Sequence, residues 1–436
     1  MFTGEDAIKK NARQYQYVYK PTKMPDTVFY DYVSRASLPG VFESTIYGRL
    51  GDIFRKAPII QGPDELVDWC EDVTINGQDM TMMASKVLRE LMITGRCAMV
   101  LDFDNQEQRH TISFYQAEDI LHWSDVRGQE MVRLREAEYS ADEFSEASER
   151  LIDIYMEDGR CVAQRHQKID GKWLTEETSP TRAGGSLDFF PVVVVNSDEV
   201  GMAVNEPPML NLANLLLGFF RNSADYEQGL HAIGVPTPVV TGLRPEEAQF
   251  SLGPYTPILI ESPDAKAYYL EFAGAGITHL KEAMDEKLLQ AMMMGARLLQ
   301  PRRQVESAEA AKTRMGAETS LLNSLTRVAE LSVELIFEMW LKWSNRNAAE
   351  TDYSYALNRD FVEESFDPNV VRVINESEMS GVISPLTAFN LRKRFEIYED
   401  GTTFEAEQDL IETSSPITER LEPAPTRVDN QEDEAA

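Results

Sequence analysis

The spacing of apolar positions changes several times along this 436-residue chain. Residues 1–25 are polar and Tyr-rich and end in a Lys/Pro stretch, which predicts an extended arm. From 27 to 54 the apolar residues return at helical spacing. Phe42, Ile46, Leu50 and Ile53/Phe54 share one face, and Pro58 is the stop. A cleaner helix is predicted over 80–94, with Met83, Val87, Leu88, Leu91 and Met92 as its stripe and Gly95 where a C-cap belongs. CAMVLDF follows as a strand. Between 110 and 200 the runs TISFY, MVRLREAEY, LIDIYM, CVAQRHQ and PVVVVN are short, β-prone and separated by Gly, Asp and Asn.

The pattern turns helical again at Pro207–Pro208 and stays so to about Leu230, with Leu212, Leu215, Leu216, Phe219 and Phe220 on a broad apolar side. Residues 232–275 carry too many Gly and Pro for a long helix and predict a small β or irregular module. A long helical region runs from 277 to 343 and is broken at Pro301. Its first half holds Leu280, Met284, Leu288, Met292 and Gly295. Its second holds a stripe of Leu322, Leu325, Ala329, Val333, Ile336 and Trp340, with Leu321, Val328, Leu331 and Leu335 beside it. Two apolar faces on one helix predict burial on more than one side, in a bundle or between subunits. Short strand-like pieces are expected after 350, then a helix over 385–398. No internal repeat is present, and no stretch reaches the ~18 apolar residues of a membrane span.

Composition narrows the function. Hydrophobic types make up 43% of the chain, enough for a sizeable core, and its length allows two to four domains at ~100–200 residues each. Lys and Arg number 42 against 73 Asp and Glu, a net charge of −31. A tight nucleic-acid binder needs many backbone-neutralising cations, so that class is disfavoured, whereas a surface that lets nucleic acid slide past is not. The acids at 136–149 read as a solvated face or loop. Those at 405–436 face two arginines, and the last ~20 residues are expected to be disordered. The 3 cysteines, Cys70, Cys97 and Cys161, are scattered, which predicts a reducing, intracellular setting, and the first residues lack a signal-peptide apolar core.

Catalytic signatures are sparse. The chain has no P-loop, GxSxG, HExxH or strand-linked GxGxxG. The 5 histidines, His110, His122, His166, His231 and His279, lack ligand-like spacing. Asp102 and Asp104 form a DxD that could help hold Mg²⁺ in a nuclease, but no second acidic or Lys cluster belongs to it, and a strand-end turn explains it better. No cofactor, metal or catalytic residue is expected.

A family resemblance then makes the reading specific. PPMLNLANLLLGFFRNSADYEQGLHAIGVPTPVVTG, from 207 to 242, resembles tailed-phage portal proteins. A second match runs from GITHLKEAMDEKLLQAMMMGARLL through SAEAAKTRMGAETS to ELSVELIFEMWLKW. GRLGDIFRKAP, VLRELMITGR with CAMVLDF, and YQAEDILHW agree with it, in order, over about 25–410. Gly218-Phe219-Phe220 departs from the polar stretch expected there and leaves the packing partner of that helix open.

The resemblance implies an α+β, predominantly helical portal fold with wing, stem and clip, assembled as a dodecameric ring at one capsid vertex. Genomic DNA would pass through it during packaging and ejection, without sequence-specific contact. Its other partners would be the terminase motor, the major capsid protein and head-completion or tail adaptor proteins. It would assemble in the host cytoplasm, reside in the virion and contact no membrane. Carried onto this chain, 1–24 is an N-terminal arm, 25–205 the first segment of the wing and 206–231 stem helix 1. The clip is 232–275, stem helix 2 is 276–299 and the tunnel loop is 300–306. The long wing helix and the second segment of the wing take 307–375, the wing end or a short crown 376–415, and an acidic tail 416–436. The candidate tunnel residues are Gln300, Pro301, Arg302, Arg303 and Gln304. Arg302 and Arg303 would make local contacts with DNA or, equally, salt bridges between subunits. The rival readings are another oligomeric head–tail adaptor, usually a much shorter chain, and a metal-dependent nuclease-like enzyme using Asp102 and Asp104.

Overall fold

A computed structural model of the chain describes residues 2–14, 16–126, 129–138, 148–169, 172–182, 185–234, 237–241, 266–270, 274–294, 308–359, 361, 368–394, 397–398 and 402–414. The chain divides into two compact units, Met1–Phe361 and Val362–Ala436. Both helices and sheets build the first unit, and helical residues outnumber strand residues among those described, so the fold is α+β and predominantly helical.

The N-terminal region forms α1 (Glu5–Asn11) and α2 (Asp26–Arg35), followed by α3 (Val41–Ile53). This corrects two expectations. The arm is not extended: Ile8, Ala12 and Val18 are buried with Phe29 and Val33 in a small cluster of their own. The single helical stretch of 27–54 is two helices, because Pro39-Gly40 interrupts the register between them. Phe42, Ile46, Leu50 and Ile53 are buried as the spacing required. Next come β1 (Ile59–Gln61), α4 (Asp64–Trp69) and α5 (Met80–Ile93). The Asp79 carboxylate caps α5 by accepting the Met82 N–H at 2.7 Å. Gly95 follows α5 at φ +77, and an added Cβ would lie 3.2 Å from the Asn205 carbonyl oxygen and from Pro207 Cα. Left-handed backbone and a close chain crossing both require glycine there.

The two main sheets share one continuous core. The first has the order β11-β2-β3, from β2 (Arg96–Asp104), β3 (Arg109–Gln116) and β11 (Val192–Asn196). The second is an antiparallel meander of β4 (Ile120–Ser124), β5 (Met131–Glu138), β6 (Ser148–Glu157), β7 (Arg160–Ile169) and β8 (Lys172–Glu177), in that order. Val132, Leu134, Ile152, Ile154, Cys161 and Ala163 alternate with polar residues and supply its buried face. Three short ribbons complete the unit. They pair β1 with β14 (Ser354–Ala356), β9 (Thr181–Arg182) with β10 (Gly185–Ser186), and β12 (Thr237–Thr241) with β13 (Lys266–Leu270).

Three further helices belong to this unit: α6 (Leu210–Gly234), α7 (Ala275–Met294) and α8 (Ala308–Trp343). The predicted α8 stripe is buried in full, from Leu322 to Trp340. The neighbouring stripe is split: Val328 is buried, while Leu321 and Leu331 are 41% and 40% exposed. Glu330 and Glu334, one turn apart on α8, accept the N–H groups of Leu357 at 2.9 Å and Tyr355 at 3.3 Å, and Arg359 also pairs with Glu330. These contacts tie the segment bearing β14 to the long helix.

The second unit holds α9 (Pro368–Met379), α10 (Pro385–Arg394) and α11 (Phe404–Ser414). Among the described residues, the strand-like pieces expected after 350 are limited to β14, and 368–379 is helical. Gly381, at φ +72, ends α9, and the Ser384 hydroxyl begins α10 by accepting the Thr387 N–H at 3.2 Å. Phe389 stacks on Tyr398 and meets Phe404 edge-on.

Candidate channel hairpin and acidic site

Helices α6 and α7 form a hairpin whose contact is built on glycine. Gly218 and Gly229 lie eleven residues apart on α6, and eleven steps of ~100° return to nearly the same face. A Cβ at Gly218 would stand 3.4 Å from the Lys287 side chain of α7, and one at Gly229 would stand 3.0 Å from Ile277 Cδ1. At Gly229 the absence of a side chain lets the helices approach closely, whereas at Gly218 the neighbour is the flexible end of a lysine.

The two ends of α6 differ. Its first half is anchored in the main core through Leu212 and Leu216. Further along, Phe220 and Ala224 join the cluster formed by α1 and α2. Tyr32 donates to Asp225 at 2.6 Å, Arg35 donates to Gln228 at 2.9 Å, and the Ser37 N–H donates to the Ser223 hydroxyl at 2.9 Å. The N-terminal module is thus the packing partner of Phe220, the one the sequence left open. Burial and the Asp225 carboxylate push the Tyr32 phenol well above its ordinary value. The last turn of α6 is solvated, and Leu230 and Ile233 are exposed on it.

On α7, Ala291 is buried and Ile277, Leu280, Met284 and Leu288 are half-buried, while His279, Lys281, Glu282, Asp285, Glu286 and Gln290 are exposed. The helix carries two lysines against three acids. Its described side-chain bonds are local, His279 with Glu282 at 3.3 Å and Gln290 to Glu286 at 3.2 Å. Leu289, Met293 and Met294 are exposed near its C-terminal end. Gln300, Pro301, Arg302, Arg303 and Gln304 lie outside the described residues, as does the 242–265 stretch of the predicted clip. Of the predicted clip, 232–234 continue α6 and 275 begins α7, and the β12–β13 ribbon lies between them.

The Asp102–Asp104 pair has a structural explanation. Asp104 accepts the N–H groups of Gln106 at 2.7 Å and Glu107 at 3.3 Å, which makes it the cap of the β2–β3 turn. Asp102 faces a cavity of about 260 Å³ shared with Tyr115, Glu136 and Arg165. The Tyr115 hydroxyl donates to Glu136 at 2.7 Å. Asp102 is open to solvent at the cavity mouth but crowded by protein, and lost hydration raises its carboxyl above the ordinary range. Its own Phe103 N–H and Arg165 oppose that rise, while Glu136 and Asp104 add to it. Among the described residues no group of three His, Cys, Asp or Glu side chains could hold a metal ion.

The other titratable groups suggested by the sequence are dispersed. His110 is largely enclosed by Phe103, Trp340 and Trp343, and burial lowers its pKa to about 4. His166 bridges Asp153 at 3.2 Å and Thr175 at 2.8 Å on the outer face of the meander. All three thiols are buried, and burial raises those of Cys70 and Cys161 to about 12. Sequence reasoning missed the paired glycines of α6, although their eleven-residue spacing was readable as one helical face. It also missed the bonds from 32–37 to α6, for which no local pattern exists. No described helix is long and apolar enough to cross a membrane.

Residues 208–344, the hairpin together with α8, match a family model described as a domain of unknown function, DUF4055. No curated protein matches the chain. Among solved structures, the chain is similar to one from the neck of an empty gene transfer agent particle determined with C6 symmetry. The TM-score is 0.41 at 13% identity, with 86% of this chain and 94% of that chain covered. A chain of the native gene transfer agent virion gives a TM-score of 0.40 at 12% identity, covering 88% of this chain and 98% of that one. An HK97-family phage portal protein from Corynebacterium diphtheriae gives 0.34 at 11% identity, covering 78% and 97%. Over most of its length, then, the chain is similar to a solved phage portal protein and to chains of gene transfer agent particles.

Proposed function

We propose that this chain is a portal protein. Copies of it close a dodecameric ring at one vertex of a virion capsid, DNA passes through during packaging and ejection, and the ring is the platform for the terminase motor, the capsid protein and head-completion or tail proteins. The ring assembles in the host cytoplasm and has no catalytic role. The observation that carries this reading is the α6–α7 hairpin. It coincides with the sequence motifs that resemble portal stems, and its exposed polar face on α7 carries Lys281 against Glu282, Asp285 and Glu286, a net acidic surface. It leaves Leu230, Ile233, Leu289, Met293 and Met294 uncovered in the single chain. Those apolar residues gain burial against neighbouring copies at ~25 cal/mol per Å².

A chain of net charge −31 suits a conduit, because an unbroken cationic lining would hold the polymer through its phosphates. Cryo-electron microscopy of the purified protein tests the proposal. The expected result is a twelve-fold ring with α7 nearest the axis. A monomer or dimer at every salt concentration would sink it. Within such a ring, changing Arg302 and Arg303 to Ala is expected to alter DNA packaging or retention while assembly is unchanged. Unaltered packaging and retention would remove both residues from the channel.

A further inference from the structure

Strand β3 is an edge of its sheet, and its backbone bonds reveal which groups face outward. The Ile112 N–H donates to the Val73 carbonyl at 2.6 Å, away from β2, while Leu101, its partner across the ladder, donates to Pro191 on the opposite side. The His110 carbonyl likewise faces outward and accepts the Trp69 indole N–H at 2.8 Å. Since direction alternates along a strand, Phe114 and Gln116 aim their N–H and C=O groups outward as well. Among the described residues, no backbone group answers those of Phe114, the Gln116 N–H or the Ile112 carbonyl, while the Gln116 carbonyl opens the single 3-10 turn of 117–119. The edge is closed at Val73 and, among the described residues, open at Phe114.

A cavity of about 920 Å³ lies along this edge, with residues 111–116 on one side and Lys86 and Arg89 of α5 on the other. The Lys86 ammonium reaches Gln78, and Arg89 lies over the Phe2 ring, 5.9 Å from its centroid. Lost hydration and the charge of Arg89 lower the Lys86 pKa, so a carboxylate would be favoured beside it. The acids of the cavity are already engaged. Asp104 holds the Gln106 and Glu107 N–H groups, Asp102 holds the Phe103 N–H, and Asp119 meets Arg135 at 3.1 Å.

The chain also carries a strand suited to this groove. β8, the outer strand of the meander, is exposed at all six positions. It has no proline or bulge, two of the devices that blunt an edge, and its charges sit at its two ends, whereas β4 at the opposite edge is short and shifts register between Ile120 and His122. Trp173 and Leu174 are 46% and 57% exposed on β8, and Glu176 and Glu177 close it. Its six residues at ~3.3 Å each are long enough to run along the open part of β3.

We propose that β8 of one copy adds to the open edge of β3 in the next copy, carrying the three-stranded sheet across the subunit boundary and bringing the acidic end of β8 to the basic side of the groove, where one of Glu176 and Glu177 faces Lys86 and Arg89. The two surfaces differ, so the contact is head-to-tail, the kind that closes rings. Closure into a ring rests on the portal reading, but the strand addition does not.

The test uses the full chain. Ser113→Cys or Gln116→Cys is combined with Leu174→Cys or Glu176→Cys, and each pair is oxidised. The native thiols are buried and contribute little background. A ladder of covalent oligomers from at least one pair is expected, because paired strands bring Cα atoms within disulfide reach. In parallel, Lys86→Glu with Arg89→Glu is expected to raise the concentration for half-assembly by ~tenfold or more, and adding Glu176→Lys with Glu177→Lys to restore most of it. Intact rings with no ladder from any pair, or no rescue by the charge swap, would overturn the strand addition and leave the portal reading standing. A ladder from open filaments would do the reverse. A chain that stays monomeric overturns both.

Discussion

Single residues illustrate how burial sets both chemistry and stability. His110 sits among Phe103, Trp340 and Trp343 with its pKa lowered from 6.5 to about 4. The unfolded chain takes up that proton near pH 6.5, and the folded chain does so only near 4. Between those values the unfolded state holds more protons, so stability falls as pH falls through the window, by up to ~3 kcal/mol. His110→Phe keeps an aromatic ring in the cluster and removes the titration. Denaturant melts at pH 7 and pH 5 are expected to show a smaller loss of stability on acidification for the variant than for the parent. Gly218 gives the opposite kind of lesson. An added Cβ meets only the flexible Lys287 side chain at ordinary contact distance. Gly218→Ala is therefore expected to stabilise α6 by ~0.5–1 kcal/mol, read as a higher Tm.

At the scale of elements, α6 connects the main core with the N-terminal cluster, and Leu38 packs against both. Its first half completes the main core, and Phe220 and Ala224 complete the N-terminal cluster. Truncating Phe220 to Ala removes the largest fully buried side chain that α6 offers to α1 and α2. The expected cost is ~3–5 kcal/mol. It is expected to fall on the attachment of the module, seen as faster tryptic cleavage at Lys23 while the sheets keep their hydrogen-exchange protection. Cleavage and exchange both unchanged would show that the module is held by its polar bonds to Asp225, Gln228 and Ser223. Most elements of this kind were legible: α5, β2, the β-rich middle, α6 and the buried stripe of α8 all follow from local period. The break at Pro39-Gly40 was overridden by the matching periods on either side of it. The helix of 368–379 was missed because its valines favour strands on local propensity.

For the whole molecule, charge is the governing quantity. A chain of net charge −31 repels its own copies, and repulsion between exposed charges weakens as the Debye length shrinks from ~10 Å at 0.1 M salt. Assembly driven by apolar burial is therefore expected to strengthen between ~0.05 and ~0.3 M NaCl. Mass photometry would follow this as a fall in the protein concentration at half-assembly. Weakening over the same range would instead identify attractive ion pairs as the main force between copies.

The sequence alone determined the periods, the breaks and the charge, because these are properties of neighbours a few residues apart. It could therefore foretell helices, strands and the acid-rich surface, and its ordered motifs pointed to a portal. Only the tertiary structure decided that Asp104 caps a turn, that the arm folds onto α6, and that β3 has an open edge at Phe114. Each of these depends on groups distant along the chain meeting in space, and on which backbone bonds remain unanswered once they have met.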